Sequence, residues 1–339
     1  MFRDHLKRIV EGVNLDESQM TEVMTEIFSG NLTDAQIGAL MGALATKGET
    51  NEELAGAARA MRRKAYRIQS SAGTIVDTCG TGGDGASTFN ISTTTAFVVA
   101  GCGITVAKHG NRSVSSKCGS ADVLEALGVR LDVDPELVEE AVEDIGIGFL
   151  FAPLYHSAMR FAATARKEVG LRSVFNMLGP LTNPAGANCQ IIGVYAPELT
   201  EMFAHTLRLL GSRQAYVVHG HDGLDEISVC APTRVSELKE GQVRTFNLNP
   251  EDYFKTLANP SDLVGGDPAT NADITQRILD GEPGPRRNVV LLNAAAALTA
   301  AGKSTDFTKG LRLAEQAIDS GAARDKLTAL AAFTQEHAP

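Results

Sequence analysis

Hydrophobic positions recur at helical spacing throughout the first seventy residues, without the alternation that marks a β-strand. Gly30 and Gly48 stand where helices are expected to end. The pattern predicts a small unit of about four helices that closes with the basic stretch 62–64. Three of the hydrophobic runs begin with a pair typical of a capping box: Asp16 with Gln19, Thr33 with Gln36, and Thr50 with Glu53.

From residue 74 onward, short apolar and β-branched runs alternate with helix-like segments. This alternation is typical of an α/β fold with a mainly parallel central sheet flanked by helices. The candidate strands are 74–77, 104–107, 190–193, 215–219 and 243–247. Residues 154–183 again follow the helical pattern, and we expect this excursion to pack on the N-terminal helices. The predicted domains are a small helical domain, 1–70 joined by 154–183, and a larger α/β domain, 71–153 with 184–339.

Composition narrows the possible partners of this 339-residue chain. A formal net charge of -10 makes nucleic acid a poor candidate. The five cysteines form no close pair, which predicts reduced thiols and a cytoplasmic location. No apolar signal segment opens the chain, and its longest apolar runs are too short or too interrupted by glycine to cross a bilayer. We therefore expect no membrane partner.

The most informative segment is 77–84, Asp-Thr-Cys-Gly-Thr-Gly-Gly-Asp, in which a candidate strand ends in glycines. The next candidate strand ends on Lys108, so backbone amides, a helix N-terminus and a lysine converge on one place. The glycine spacing fits a dinucleotide fingerprint, but the acid that would hold the ribose is missing. No Gly-Lys-Ser/Thr sequence follows, which excludes a Walker loop. The segment predicts a site for a phosphate-rich ligand other than NAD.

Polar side chains around this segment allow two interpretations. Residues 90–93, Asn-Ile-Ser-Thr, either cap the helix that follows the glycine turn or contact phosphate oxygens or a metal. The serines at 113, 115, 116 and 120, interleaved with Arg112 and Lys117, either extend the anion site or form a solvated loop.

Two further clusters carry charge. Asp225 and Glu226 follow the candidate strand 215–219, and their oxygens suit Mg²⁺ bound to a polyphosphate, although a solvated acidic turn is the alternative. His219 and His221 are weaker candidates for metal ligands. A run of cations over residues 160–172 is mostly a solvated helix face, within which one arginine could fork onto a carboxylate.

Taken together, these motifs resemble the anthranilate phosphoribosyltransferases, essentially from end to end. The motifs that carry the resemblance are 80–84, 90–93, 108–112, 119–122, 166–170, 175–180, 222–226 and 292–296. The resemblance implies a nucleoside phosphorylase/phosphoribosyltransferase-like fold and a homodimer with its active site between the two domains. It also implies transfer of phosphoribose from 5-phosphoribosyl 1-diphosphate (PRPP) to anthranilate, with release of diphosphate, in tryptophan biosynthesis.

The resemblance further implies a set of site residues, with two Mg²⁺ per subunit and no assigned general acid or base. Ser92, Asp225 and Glu226 would bind Mg²⁺. Anthranilate would contact Gly80, Asn111, Arg166, His156 and Pro153, with Ala152 also lining its path. PRPP would contact Gly80, Gly83, Asp84, Thr88, Asn90, Ile91, Ser92, Thr93, Lys108, His109, Gly110, Asn111, Arg112, Ser113, Val114, Ser115, Ser116 and Ser120. Ser157, Ala163 and Ser173 depart from the usual family pattern, which affects only the expected shape of the anthranilate channel and hinge.

Two rival functions remain open from the sequence. A pyrimidine nucleoside phosphorylase would share the architecture and use inorganic phosphate, but it would not need the metal loop at 222–226. A nucleic-acid-binding relative should have a basic surface, and the net charge of -10 argues against one.

Overall fold

The computed structural model describes residues 1–113 and 117–337. Four helices form its N-terminal part, as the sequence predicts: α1 (Phe2–Val10), α2 (Glu17–Phe28), α3 (Asp34–Lys47) and α4 (Asn51–Lys64). All three predicted capping boxes are present at the starts of α2, α3 and α4. Gly48 ends α3 with a φ of 86°, a conformation that residues with a side chain rarely adopt.

A seven-stranded sheet forms the centre of the larger part, in the order β3-β2-β1-β4-β5-β6-β7. The strands β1 to β5 pair in parallel, and β6 and β7 extend the sheet as an antiparallel hairpin. The mainly parallel sheet is therefore confirmed. The strand bounds are β1 (Ile75–Asp77), β2 (Thr105–Gly110), β3 (Ile147–Phe151), β4 (Cys189–Gly193), β5 (Gln214–Gly220), β6 (Thr233–Lys239) and β7 (Gln242–Leu248).

The sequence analysis missed β3 and β6. Strand β3 is a short, uniformly apolar run directly after a helix, and periodicity cannot distinguish such a run from a buried helical segment. Strand β6 carries Glu237 on a buried face, where the carboxylate accepts a hydrogen bond from the Tyr216 hydroxyl and pairs with Arg244. A charged residue in a buried strand hides the apolar alternation that would have indicated β6.

The remaining helices cover the two faces of the sheet. Their bounds are α5 (Ile91–Gly101), α6 (Ser120–Ala126), α7 (Pro135–Asp144), α8 (Ala152–Tyr155), α9 (Arg160–Val169), α10 (Val174–Met177), α11 (Leu199–Leu209), α12 (Pro268–Leu279), α13 (Pro285–Ala300), α14 (Phe307–Asp319) and α15 (Ala322–Glu336). None of the described helices is long and apolar enough to cross a membrane.

Two large hydrophobic clusters lie on opposite faces of the sheet. Ile191 and Val218 belong to the cluster with α5, α13 and the C-terminal helices, whereas Ile192 and Val217 belong to the cluster with α11 and the N-terminal helices. The alternation follows from the two-residue period of a strand. Side chains of α9 and α10 also join the second cluster, so these two helices pack against the N-terminal helices. The exact domain bounds stay a prediction.

Candidate active site

Four parallel strands place the predicted site residues at one edge of the sheet. The strands β1, β2, β4 and β5 run in the same direction, so the segments that follow their carboxyl ends meet at that edge. Ligands of open α/β sheets bind in this position, outside the carboxyl ends of the strands. The glycine turn follows β1, Lys108 lies near the end of β2, and the acidic loop follows β5.

Asp77, the last residue of β1, connects three segments at this edge by hydrogen bonds. Its carboxylate accepts hydrogen bonds from the backbone N–H of Cys79 at 3.0 Å and of His109 at 3.1 Å. It also accepts one from Asn183 Nδ2 at 2.7 Å. Burial raises the pKa of Asp77 to about 6, although nearby Lys108 and these donors favour the charged form. The sequence analysis quoted Asp77 but gave it no role; a carboxylate that ends an apolar strand was the available signal.

The glycine turn lies against the end of β4. Thr81 donates its backbone N–H to the carbonyl oxygen of Gly193 at 2.8 Å. A Cβ at Gly80 would come within 2.9 Å of that same oxygen, so only glycine fits there. Gly82 and Gly83 have φ values of 65° and 82°, which glycine adopts without steric cost. The turn is therefore a tight backbone loop at the sheet edge.

Lys108 and Ser92 lie together beside this turn. The Lys108 side chain is largely buried, and its ammonium group donates to Ser92 Oγ at 3.3 Å. It also donates to Thr78 Oγ1 at 3.3 Å and to the Thr78 carbonyl oxygen at 3.4 Å. The structure thus brings a buried cation next to the first turn of α5, as the spacing predicted. The same cation favours the charged forms of the nearby Asp77 and Glu226 carboxylates, so positive and negative groups meet beside the glycine turn.

The side chains of residues 90–93 divide between site and interior. Asn90 precedes α5 but makes no capping hydrogen bond with its side chain, so the capping interpretation is wrong for this residue. Its amide instead donates to the Cys118 carbonyl oxygen at 3.2 Å. The side chains of Ile91 and Thr93 are buried. Ser92 alone in this segment meets Lys108 with its side chain.

A second acid organises the loop after β2. Asp122 accepts hydrogen bonds from the backbone N–H of Gly119 at 2.8 Å and of Ser113 at 3.1 Å. Arg112 pairs with Asp122 at 3.0 Å and also with Glu125. Although burial alone would raise the pKa of Asp122, these donors lower it. The Arg112 guanidinium therefore points to α6 acids in this structure.

Other predicted PRPP residues take their places around this loop. Ser120 Oγ bonds the backbone of Asn111 at 3.2 Å, and a Cβ at Gly110 would clash with that same hydroxyl. Thr88 forms a β-bridge with Val264. Val114, Ser115 and Ser116 lie outside the described residues.

Three carboxylates lie close together where the acidic loop meets the glycine turn. The backbone N–H of Asp225 donates to Asp84 Oδ2 at 3.4 Å. Burial, with a further contribution from the Asp84 charge, raises the pKa of Asp225 to about 7. Burial and the Asp225 charge raise the pKa of Glu226 well above its ordinary value, while Lys108 opposes that rise. Like charges held this close favour a proton or a cation between them.

This donor set fits a cation that arrives with phosphate ligands. Within residues 1–113 and 117–337, no three His, Cys, Asp or Glu side chains form a ready-made metal cluster. Mg²⁺ commonly binds through one or two carboxylates and takes its other oxygens from water and substrate phosphates. His219 is not available as a ligand through Nδ1, which lies 2.7 Å from the Val194 carbonyl oxygen.

The cation predicted for the acceptor is Arg166, on α9. Its guanidinium lies 5.7 Å from the Phe175 ring centre, and burial lowers its pKa. No described residue supplies a hydrogen bond or carboxylate to it. A half-buried guanidinium with only an aromatic neighbour is suited to a planar carboxylate from outside.

His156 and Pro153, also predicted for the acceptor, differ in exposure. Pro153 is exposed on α8, whereas His156 is buried with its ring 5.0 Å from that of His109. Burial lowers the pKa of His156 to about 3 and of His109 to about 4, so both rings are neutral at pH 7. His109 Nδ1 lies 3.0 Å from the Gly179 carbonyl oxygen, so its ring extends toward the excursion segment.

Arg172 connects the excursion segment to the glycine turn, which the sequence analysis did not anticipate. Its guanidinium donates to the carbonyl oxygen of Gly83 and lies 4.4 Å from the Tyr195 ring centre. Arg172 therefore joins the segment that carries Arg166 to the turn that precedes Asp84. It was grouped with a solvated helix face because sequence spacing does not show which arginine crosses to a distant loop.

Comparison with known proteins shows the class of protein to which this chain belongs. The description "glycosyl transferase family, helical bundle domain" matches residues 3–65, and "glycosyl transferase family, a/b domain" matches residues 72–324. An anthranilate phosphoribosyltransferase from Syntrophobacter fumaroxidans is 68% identical over 337 residues, covering 99% of this chain and 100% of that protein.

Solved structures agree with this class. The anthranilate phosphoribosyltransferase of Thermus thermophilus has a TM-score of 0.92 at 42% identity and covers 97% of this chain and 99% of that one. The enzyme of Saccharomyces cerevisiae, solved in complex with PRPP and Mg, has a TM-score of 0.89 at 28% identity, covering 99% and 98%. This chain belongs to the anthranilate phosphoribosyltransferase family.

Proposed function

We propose that this chain transfers the phosphoribosyl group of PRPP to anthranilate, which gives N-(5-phosphoribosyl)anthranilate and diphosphate. The observation that carries the proposal is the meeting of two opposite charge sites at one sheet edge. Lys108 and Ser92 supply the cationic part, and the carboxylates of Asp84, Asp225 and Glu226 supply the acidic part. The two parts are in contact, since Lys108 and the Ser92 backbone N–H both favour the charged form of Glu226 and so lower its pKa. PRPP is an anion that binds together with a metal cation, so its site needs both a cationic group and carboxylates.

The PRPP residues are those named from the family resemblance, from Gly80 to Ser120. We assign Lys108 to the diphosphate, because its buried ammonium group lies beside the glycine turn and its described hydrogen bonds go to the neutral acceptors of Thr78 and Ser92. Holding charge in a desolvated site stabilises the leaving group more than the same contact would in water. Lys108 therefore contributes to departure of diphosphate as well as to binding.

Mg²⁺ is the proposed cofactor, with two ions per subunit held by Ser92, Asp225 and Glu226. When bound, the ions would neutralise charge on the diphosphate. The raised pKa values of Asp225 and Glu226 support this assignment, because a cation would stabilise the charged carboxylates that burial and, secondarily, mutual repulsion disfavour.

Anthranilate is the proposed acceptor, with its carboxylate held by Arg166 and its path lined by Pro153 and His156. The neutral His109 and His156 rings add no charge beside it, so recognition of the carboxylate depends on Arg166. The aromatic amine of anthranilate is already neutral at pH 7, and its attack on the ribose carbon needs no strong base. Positioning of the two substrates therefore supplies much of the rate.

Four broader assignments stay predictions: the place in tryptophan biosynthesis, the homodimer, the cytoplasmic location and the domain bounds. The pathway follows from the product. The bounds are supported by packing of α9 against α3.

Loss of anthranilate fluorescence on mixing the protein with PRPP, with and without Mg²⁺, tests the reaction. We expect loss that requires protein, PRPP and Mg²⁺ together. A folded sample that leaves the fluorescence unchanged would contradict the proposal. The same sample would then be assayed with pyrimidine nucleosides and inorganic phosphate, and afterwards for nucleic-acid binding.

A further inference from the structure

Asn271, on α12, belongs to none of the motifs that predicted the site. Its side chain is nevertheless connected to the site by hydrogen bonds. The residue is 1% exposed. Its Nδ2 donates to Asn90 Oδ1 at 2.9 Å, and its Oδ1 accepts the backbone N–H of Gly266 at 2.7 Å. The Asn271 side chain therefore binds on both of its polar atoms.

Asn90 connects the hydrogen bond from Asn271 to two loops of the proposed PRPP site. Asn90 Oδ1 also accepts from Cys118 Sγ at 3.3 Å, while Asn90 Nδ2 donates to the Cys118 carbonyl oxygen at 3.2 Å. Asn90 belongs to the loop after β1, and Cys118 belongs to the loop after β2. Without the donor from Asn271, the orientation of the Asn90 amide would lose one of its fixed contacts.

The segment just before α12 also holds the first of these loops by its backbone. Phe89 donates its N–H to the Leu263 carbonyl oxygen at 3.1 Å, and Gly265 donates to the Ser87 carbonyl oxygen at 3.0 Å. A Cβ on Gly265 would lie 2.6 Å from Asn271 Oδ1 and 2.7 Å from Phe89 Cα. Gly265 therefore lies closely between the Asn271 side chain and the backbone that carries Thr88 and Asn90.

We propose that Asn271 is a positioning residue of the PRPP site, which acts through Asn90 to set the relative placement of the loops after β1 and β2. The inference rests on the proposed function, because those loops are assigned to PRPP. The hydrogen bonds of Asn271 described above reach Asn90 and Gly266, neither of which is proposed to hold anthranilate. Its loss should therefore affect the donor far more than the acceptor.

The test compares Asn271→Ala and Asn271→Asp with a control on the same helix. Thr275→Val removes the hydrogen bond of 2.9 Å between Thr275 Oγ1 and Thr94 Oγ1, which also joins α12 to α5 inside the core. Thr94 Oγ1 keeps its own hydrogen bond of 3.1 Å to the Asn90 carbonyl oxygen, and the Asn90 side-chain amide loses no contact. Aspartate can still accept from Gly266 but, when ionised, cannot donate to Asn90. It therefore separates the contacts of the Asn271 side-chain NH₂ group, to Asn90 and to the Cys118 side chain, from the contact of Oδ1 to Gly266.

We expect Asn271→Ala and Asn271→Asp to raise KM for PRPP by about 10-fold, as loss of a supporting contact commonly does. KM for anthranilate should change less than about two-fold on the same scale. Thr275→Val should lower Tm and leave both KM values near wild type. Because Asn90 and Asn271 act as one unit, the double variant Asn90→Ala/Asn271→Ala should be little worse than Asn90→Ala alone.

Equal changes in the two KM values, or the same KM for PRPP as in Thr275→Val, would overturn the inference. Calorimetric titration of each variant with PRPP and Mg²⁺ separates this outcome from failure of the proposed function. Wild type that binds PRPP but does not consume anthranilate would refute the reaction, and weaker PRPP binding by Asn271→Asp would still support the positioning role. Unchanged PRPP binding by both Asn271 variants would refute it.

Discussion

Two regions of the proposed site differ in how their charged groups are paired. The first, the donor edge, comprises the glycine turn, Lys108 and the acidic loop at the carboxyl ends of the strands. The second, the acceptor segment, is the part of the chain around α9. At the donor edge, Asp77 and Lys108 already have several protein partners each. Arg166 on α9 has an aromatic face beside it and no described hydrogen-bond partner. A site held by internal hydrogen bonds is preorganised, whereas an unpaired cation gains its partner only from the ligand. Substitutions at the donor edge should therefore affect fold and turnover together, and those at Arg166 should mainly affect acceptor use.

The largest effect is expected from Glu226→Gln, which removes charge from the metal side of the donor edge. We expect kcat to fall by about 10²–10³, the range seen when a preorganised electrostatic contact is lost. The residual rate should respond weakly to Mg²⁺ concentration. Glu251→Gln makes the same change in net charge at an exposed residue and serves as the control. Unchanged Mg²⁺ dependence in Glu226→Gln would remove this residue from the metal site.

Arg166→Ala tests the acceptor side of the comparison. Loss of a charged hydrogen bond of about 1.5–3 kcal/mol predicts a fall of roughly 10- to 150-fold in kcat/KM for anthranilate. KM for PRPP should stay near wild type. Lys167→Ala removes an exposed cation next to it in sequence and should leave both values unchanged. A larger effect on PRPP than on anthranilate would place Arg166 at the donor.

The pH dependence of stability distinguishes the acids of the donor edge from the two buried histidines without a substrate. The pKa values of Asp77, Asp225 and Glu226 are raised in the folded state. The contribution of Asp77 and Asp225 to the free energy of unfolding is therefore full below about pH 4 and declines as pH rises through their folded pKa values of about 6 and about 7. The contribution of Glu226 also declines as pH rises. The lowered pKa values of His109 and His156 act with the opposite sign, because stability is lost as pH falls below about 6.5 toward their folded values.

A difference between variants separates these contributions. Glu226→Gln should be more stable than wild type by about 1–3 kcal/mol at pH 8 without Mg²⁺, and this gain should shrink toward pH 4. Urea unfolding in the presence of a chelator measures it, and the histidine contribution cancels because both proteins share it. A gain that grows as pH falls would contradict the pKa direction of Glu226.

The smallest effect is expected from Arg172→Ala, at the contact between the two regions. Because the Arg172 guanidinium is exposed, its hydrogen bond to Gly83 and its stacking on Tyr195 should change KM for PRPP only about 3- to 10-fold. Arg160→Ala is a matched control, since this exposed arginine lies 4.7 Å from the Phe161 ring centre. Steady-state kinetics that rank Arg160→Ala equal to Arg172→Ala would show that the bond to Gly83 has no role in PRPP use.

Sequence patterns located the helical N-terminal part, five of the strands and the three segments of the donor edge. They did so because capping boxes, apolar periodicity and glycine turns act over a few residues. The two interpretations of residues 90–93 could not be separated from local sequence. Asn90 is a residue type that suits a helix cap, but in the structure its side chain bonds Cys118 and Asn271 instead. Local preference could not decide between these partners, since the competing contacts come from distant parts of the chain.

By itself, the sequence determined the fold class, the family resemblance and which chemical groups were available. The tertiary structure alone decided how those groups are shared: Asp77 with Asn183, Arg112 with α6, Arg172 with Gly83, and Asn271 with Asn90. The physical reason is that a side chain's partner depends on burial and on the register of parallel strands. These are set by packing across the sheet and not by neighbours along the chain.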